Sequence, residues 1–231
     1  MLLNAIDLAK MIDLSCVRTT SSKADIEEMV SAACQYGFGQ VSVMECFIPY
    51  TRQLLRDHPQ VHIIGNVSFP SGSDSTAVKV FQARQMAAAG CDEIDMVINV
   101  GMLRSGMLQA VEADVRAVVE TAHPLPVKVI IEIMYLTPTE VKQACEICLS
   151  TGASFVKTGS GWAPRGTTLE DVRLVKSIVG DRIKIKASGG IRNLDEMVAM
   201  YSAGARRFGI NLKSGIEIVQ ACQALGPGVE V

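Results

Sequence analysis

The feature that most constrains this chain is a repeated alternation of short apolar runs with longer amphipathic segments. The runs at 10–14, 40–44, 62–67, 93–98, 127–132, 154–158, 183–187 and 207–210 read as strands. Between them lie helix-period segments such as "SKADIEEMVSAACQYG", with Ser22 as N-cap and Gly37 as stop, and "STAVKVFQARQMAAAG", stopping at Gly90. Strict β/α alternation implies parallel strands joined by right-handed crossovers. Eight such units in 231 residues predict a single (β/α)8 TIM barrel forming one domain over 1–231. An open doubly wound sheet is the runner-up. It would carry a Gly-rich loop after the first strand, and "IDLSCVRTTSS" has none. The tail "ALGPGVEV" reads as loose.

Composition narrows the partners. The hydrophobic fraction is 48% with only 5% aromatic, so Ala, Val, Ile and Gly carry the apolar content, as in parallel strands covered by helices. The 22 basic and 24 acidic residues nearly cancel, which gives no reason to expect nucleic acid or a membrane surface as partner. No apolar run approaches the ~18 residues of a membrane span. The N-terminal stretch has acidic residues and no cleavage pattern, and seven cysteines lack paired spacings. Both point to reduced thiols and a cytoplasmic location. Cys145 and Cys148 read as two small residues of a helix.

Several strands carry charge where a helix-covered strand should be apolar. In "VKVIIE", Val127, Val129 and Ile131 share one face, and Lys128, Ile130 and Glu132 share the other. Glu93 and Asp95 alternate with Ile94 and Met96. Phe155 pairs with Lys157, and Lys184 and Lys186 oppose Ile183 and Ile185. The aliphatic faces are expected to meet the helices and the charged faces to point into the barrel, where charges must be paired. Lys128, Glu132, Glu93 and Lys184 read as salt-bridged filler.

Asp95, Lys157 and Lys186 stand apart because they lie toward C-terminal strand ends, where barrels of this architecture carry active sites. A lysine near another cation in a poorly solvated pocket has a lowered pKa. Its neutral amine can then form a Schiff base with a carbonyl. In "ASGGIR", Gly189 and Gly190 let backbone N–H groups approach an anion, and Arg192 adds charge; this reads as a phosphate loop. His58, His62 and His123 form no ligand pattern, since Pro59 breaks the one close pair. No metal and no cofactor is expected.

"SFPSG", "AVKVFQA", "DEIDMVINVG", "VKVIIE", "SFVKTGSG" and "IKIKASGGIR" together resemble the deoxyribose-phosphate aldolases, over about residues 12–219. The resemblance implies a metal-independent class I aldolase that reversibly cleaves 2-deoxy-D-ribose 5-phosphate to D-glyceraldehyde 3-phosphate and acetaldehyde. It implies Lys157 as the Schiff-base residue, Lys186 as the cation that lowers its pKa and moves protons, and Asp95 as a member of that relay. Substrate-binding positions implied are Ser160, Gly161, Gly189, Gly190, Arg192, Gly209, Asn211, Ser15 and Ser42.

The chain departs from the family pattern at three places. Ile210 and Asn211 stand where the eighth strand usually has hydroxyls, with Lys213 and Ser214 two residues late. Arg18 replaces a lysine after the first strand, and Met44 and Glu45 replace Asn-Pro after the second. These departures keep alternatives open: an aldolase of the same chemistry with another, non-phosphorylated acceptor, or a sugar-phosphate-binding barrel without turnover. Trp162 and Arg165 are candidates to reshape or recharge the acceptor pocket, or Trp162 serves only as lid packing. The expected partner is a small aldehyde or sugar phosphate. Self-association into a homo-oligomer is left open, because no face is marked for it.

Overall fold

The computed structural model describes residues 2–230. After a short strand β1 (Leu2–Leu3), eight parallel strands close into a barrel in chain order. They are β2 (Ile12–Cys16), β3 (Gln40–Val43), β4 (His62–Val67), β5 (Glu93–Val97), β6 (Val127–Ile130), β7 (Phe155–Lys157), β8 (Lys184–Ser188) and β9 (Ala205–Asn211). β9 pairs with β2 and seals the ring. The expected (β/α)8 architecture is therefore the one observed.

Local chemistry fixes the helices. Ser22 and Asp25 form a reciprocal capping box at the start of Lys23–Tyr36, and Gly37 ends that helix in the left-handed conformation at φ +74°. The same device opens Pro138–Ser150, through Thr137 and Glu140, and Leu169–Val179, through Thr168 and Asp171. The aliphatic strand faces (Ile94, Met96, Val129, Val156, Ile185 and Ala187 among them) are buried against these helices. Each of the buried Ile, Val and Met side chains contributes about 1.5–3 kcal/mol.

Two expectations are corrected. The first barrel strand begins at Ile12, because residues Ala5–Lys10 form a helix capped by Asn4, whose Oδ1 accepts from Asp7 N at 2.9 Å. The tail is tied back: β10 (Val229–Glu230) pairs antiparallel with β1, Leu3 opposite Val229.

Among the described residues, one ion pair outside the barrel lumen is buried on both sides. Lys79, on the helix Thr76–Ala88, is fully buried; its Nζ meets Asp114 Oδ2 at 2.6 Å and donates to Val97 O at 3.1 Å. Thr76 Oγ1 donates to the other Asp114 oxygen at 2.8 Å. Helix and β5 are thereby fastened at the strand's C-terminal end. Asp114→Ala would leave a buried, unpaired ammonium, and is expected to cost about 3–5 kcal/mol in equilibrium urea denaturation.

Candidate active site

Strand register decides which side chains meet. Asn66 stands opposite Asp95, Asp95 opposite Lys128, Lys157 opposite Lys186, and Lys186 opposite Arg207. Residues in register share a face, so these groups all enter the lumen. There they form one network. Asp95 Oδ2 accepts from Lys157 Nζ at 2.8 Å and from Lys186 Nζ at 2.9 Å. Lys128 Nζ lies 3.2 Å from Asp95 Oδ1 and in close contact with Glu93. Asp13 completes the set: its Oδ2 is 2.6 Å from Lys186 Nζ and its Oδ1 is 3.2 Å from Arg207 Nη1.

The two lysines differ in what surrounds them. Burial, together with the positive charges of Lys186 and Lys128, holds the Lys157 ammonium down to about 8 against the opposing pull of Asp95. Burial also works against the Lys186 ammonium, but Asp13 and Asp95 outweigh it and raise its pKa above the ordinary lysine value. Asp95, despite burial, is held well below the usual carboxylate range by Lys128, Lys157 and Lys186. Near neutral pH the site thus contains an anion, a fixed ammonium and an amine that gives up its proton easily.

The charged residues that the sequence marks do not include Asp13, although it lies inside the run at 10–14. The signal was present: in "IDLS", Asp13 and Ser15 alternate with Ile12 and Leu14 just as Glu93 and Asp95 alternate with Ile94 and Met96. Arg207 in "RRFGIN" carries the same signature. Two filler assignments are corrected. Lys184 is exposed, with its Nζ 5.6 Å from the Phe155 ring centroid, because the strand's first residue clears the lumen. Glu132 sits just past β6 in the left-handed region (φ +50°), where its carboxylate accepts from Ser160 N at 2.9 Å rather than from a lysine. Glu132 therefore anchors the loop that follows Lys157.

Above the network lies a cavity of about 120 Å3. It is lined by Ser15, Ser160, Gly161, Gly189, Gly190, Arg192, Gly209 and Asn211, together with Ser188, Val17 and Arg18. All but one of the implied substrate-binding positions are gathered there. The exception is Ser42, which is buried in β3 with its Oγ accepting from Asn66 Nδ2 at 3.0 Å. Gly209 has no room for a side chain: a Cβ there would meet Ser188 Oγ at 2.3 Å. The glycine loop is braced from behind. Thr167 N donates to Gly189 O at 2.8 Å and Thr167 Oγ1 donates to Ser188 O at 2.6 Å. Arg165 is engaged elsewhere, forked onto Asp171 at 2.6 and 3.1 Å. A second cavity, of about 490 Å3, is lined by Trp162, Val97, Glu132 and Tyr135.

A (β/α)8 barrel whose mouth holds a readily neutralised amine next to a fixed ammonium is equipped for imine chemistry on a carbonyl, the class of the Schiff-base lyases. Comparison with known proteins gives the family. Residues 6–220 match the model of the DeoC/LacD family aldolases. The deoxyribose-phosphate aldolase of Rhizobium meliloti (strain 1021) is 42% identical over 222 residues, covering 96% of this chain and 90% of that protein. Among solved structures, the aldolase QR15 superposes with a TM-score of 0.89 at 37% identity, covering 95% of this chain and 97% of the other. Deoxyribose phosphate aldolase from Aeropyrum pernix superposes with a TM-score of 0.87 at 25% identity, covering 96% and 93%. The chain belongs to the DeoC/LacD family of aldolases and is a lyase.

The charge distribution is directly measurable. In 15N spectra of the lysine side chains, Lys157 Nζ is expected to titrate with a midpoint near 8, below the ordinary 10.5. Lys186→Met removes the neighbouring cation, so the midpoint should move upward.

Proposed function

We propose that this chain catalyses the reversible cleavage of 2-deoxyribose 5-phosphate to glyceraldehyde 3-phosphate and acetaldehyde, with Lys157 as the covalent residue. The observation that carries the reading is the sharing of Asp95 Oδ2 by two lysines of opposite tendency. The protein of Rhizobium meliloti with 42% identity bears the name of that activity, which supports the choice of substrate.

The chemistry follows from the groups in place. The neutral Lys157 amine attacks the aldehyde carbon of the open-chain sugar, and the carbonyl oxygen leaves as water after protonation. The resulting iminium at C1 draws in the electron pair of the C2–C3 bond as the 3-hydroxyl loses its proton, releasing glyceraldehyde 3-phosphate. The enamine left on Lys157 takes a proton at carbon, and water releases acetaldehyde. Lys186, which shares Asp95 Oδ2 with Lys157, is the proton source, and Asp95 links the two amines, with water carrying protons between them and the substrate. The glycine loop and Arg192 receive the phosphate. That cavity favours a phosphorylated acceptor over the non-phosphorylated alternative.

All seven cysteines are free thiols, four of them buried, which supports a reducing, cytoplasmic compartment. Among the described residues no helix is long and apolar enough to cross a membrane. Self-association belongs to the same reading. The Aeropyrum pernix relative is described as tetrameric, and Phe81 here is 61% exposed on the helix Thr76–Ala88.

Borohydride reduction in the presence of deoxyribose 5-phosphate, followed by peptide mass spectrometry, is expected to place the adduct on Lys157; an adduct on another lysine overturns the assignment. The pH dependence has a defined sign. Below about 8 the Lys157 amine is largely protonated and cannot attack, so kcat/KM is expected to rise with pH up to about 8 and level off above it.

A further inference from the structure

We infer that Arg18 determines specificity for the phosphate end of the substrate and that Trp162 holds it in place for that role. This rests on the aldolase reading above and deepens it.

The need arises at β9. The hydroxyls expected at its end are absent, and the residues present are occupied. Ile210 is 2% exposed. Asn211 caps the helix Leu212–Ala224: its Oδ1 accepts from Ser214 N at 3.0 Å and its Nδ2 donates to Ser214 Oγ at 3.3 Å. Ser214 is buried in that cap and does not line the cavity. This rim of the anion cavity therefore offers no free hydroxyl.

β2 is the neighbour of β9 in the ring, and Arg18 stands two residues past the end of β2. Arg18 lines the same cavity as Gly189, Gly190 and Arg192. It pairs with no carboxylate among the described residues. Two contacts hold it. Nη2 donates to Gly161 O at 2.8 Å, and the guanidinium carbon lies 5.3 Å from the Trp162 ring centroid. Trp162 is fixed in turn. Its Nε1 donates to Val17 O at 3.2 Å, its backbone N donates to Ser160 Oγ at 3.0 Å, and its ring meets Phe69 edge-on at 6.4 Å. The indole thus spans the mouth from the loop after β7 to the loops after β2 and β4.

A guanidinium has five N–H donors in a planar fork that matches a phosphate. One donor on Gly161 O leaves the rest free. A fork already held by stacking and a hydrogen bond loses little freedom when an anion arrives. Arg18 thereby takes over the work that hydroxyls at the end of β9 would do.

The test compares wild type with Arg18→Met, Arg18→Lys and Trp162→Phe, each checked for native circular dichroism. Steady-state kinetics are measured on deoxyribose 5-phosphate and deoxyribose, and inorganic phosphate binding is measured by calorimetry. Arg18→Met is expected to lower the ratio of kcat/KM for the phosphorylated over the plain sugar by about 10-fold or more, chiefly through KM, and to weaken phosphate binding by a similar factor. Arg18→Lys keeps the charge without the fork, and Trp162→Phe keeps an aromatic face without the bond to Val17; both should fall between. An unchanged ratio, or an equal loss on both sugars, overturns the assignment. If wild type turns over neither sugar, the aldolase reading fails. The phosphate titration then still decides about Arg18: weaker binding by Arg18→Met sustains its anion role, and unaltered binding refutes it.

Discussion

Two amines and one carboxylate oxygen meet at the centre of this barrel, and the rest of the site is arranged around that contact. Asp95 Oδ2 accepts from both Lys157 and Lys186. Three buried lysines and a partly buried arginine gathered in one lumen would be prohibitive without anions. Asp13, Glu93 and Asp95 supply them, but unevenly. Lys186 touches two carboxylates, whereas Lys157 touches one that it shares. This asymmetry assigns the proton: the better-compensated amine keeps it, and the other gives it up. A (β/α)8 barrel suits the arrangement because register brings residues of neighbouring strands onto the lumen face at one height.

Much of this was legible in the sequence for a simple reason. In a helix-covered parallel strand a charged residue has nowhere to go but the lumen, so Asp95, Lys128, Lys157 and Lys186 announced their positions through period-two alternation. Two of the charged residues did not follow that rule. Lys184 opens its strand and reaches solvent, and Glu132 lies past the point where β6 stops, with its backbone turned into the left-handed region. Alternation has no meaning beyond a strand's ends, and strand ends are what sequence patterns locate least well. The helix Ala5–Lys10 runs almost without interruption into β2 and blurs the start of that strand in the sequence.

The mouth was less legible than the lumen. Side chains there come from loops of different strands and meet only in three dimensions. Nothing in "TGSGW" reveals that Trp162 reaches Val17, or that Arg18 rests on that indole while reaching Gly161. The glycine loop was readable because its backbone serves the cavity and glycine identity shows it. Arg165, equally prominent in the sequence, turned out to be bound to Asp171 at a helix start. Charge alone in a loop does not distinguish a residue that waits for a ligand from one already paired.

The central claim is a difference in protonation between two amines that share one oxygen. Neutron diffraction on deuterated crystals reads it without a substrate. At a pD above 8 and below 10.5, Lys157 Nζ should carry two deuterons and Lys186 Nζ three, with Asp95 bare. Three deuterons on Lys157, or two on Lys186, would contradict the account.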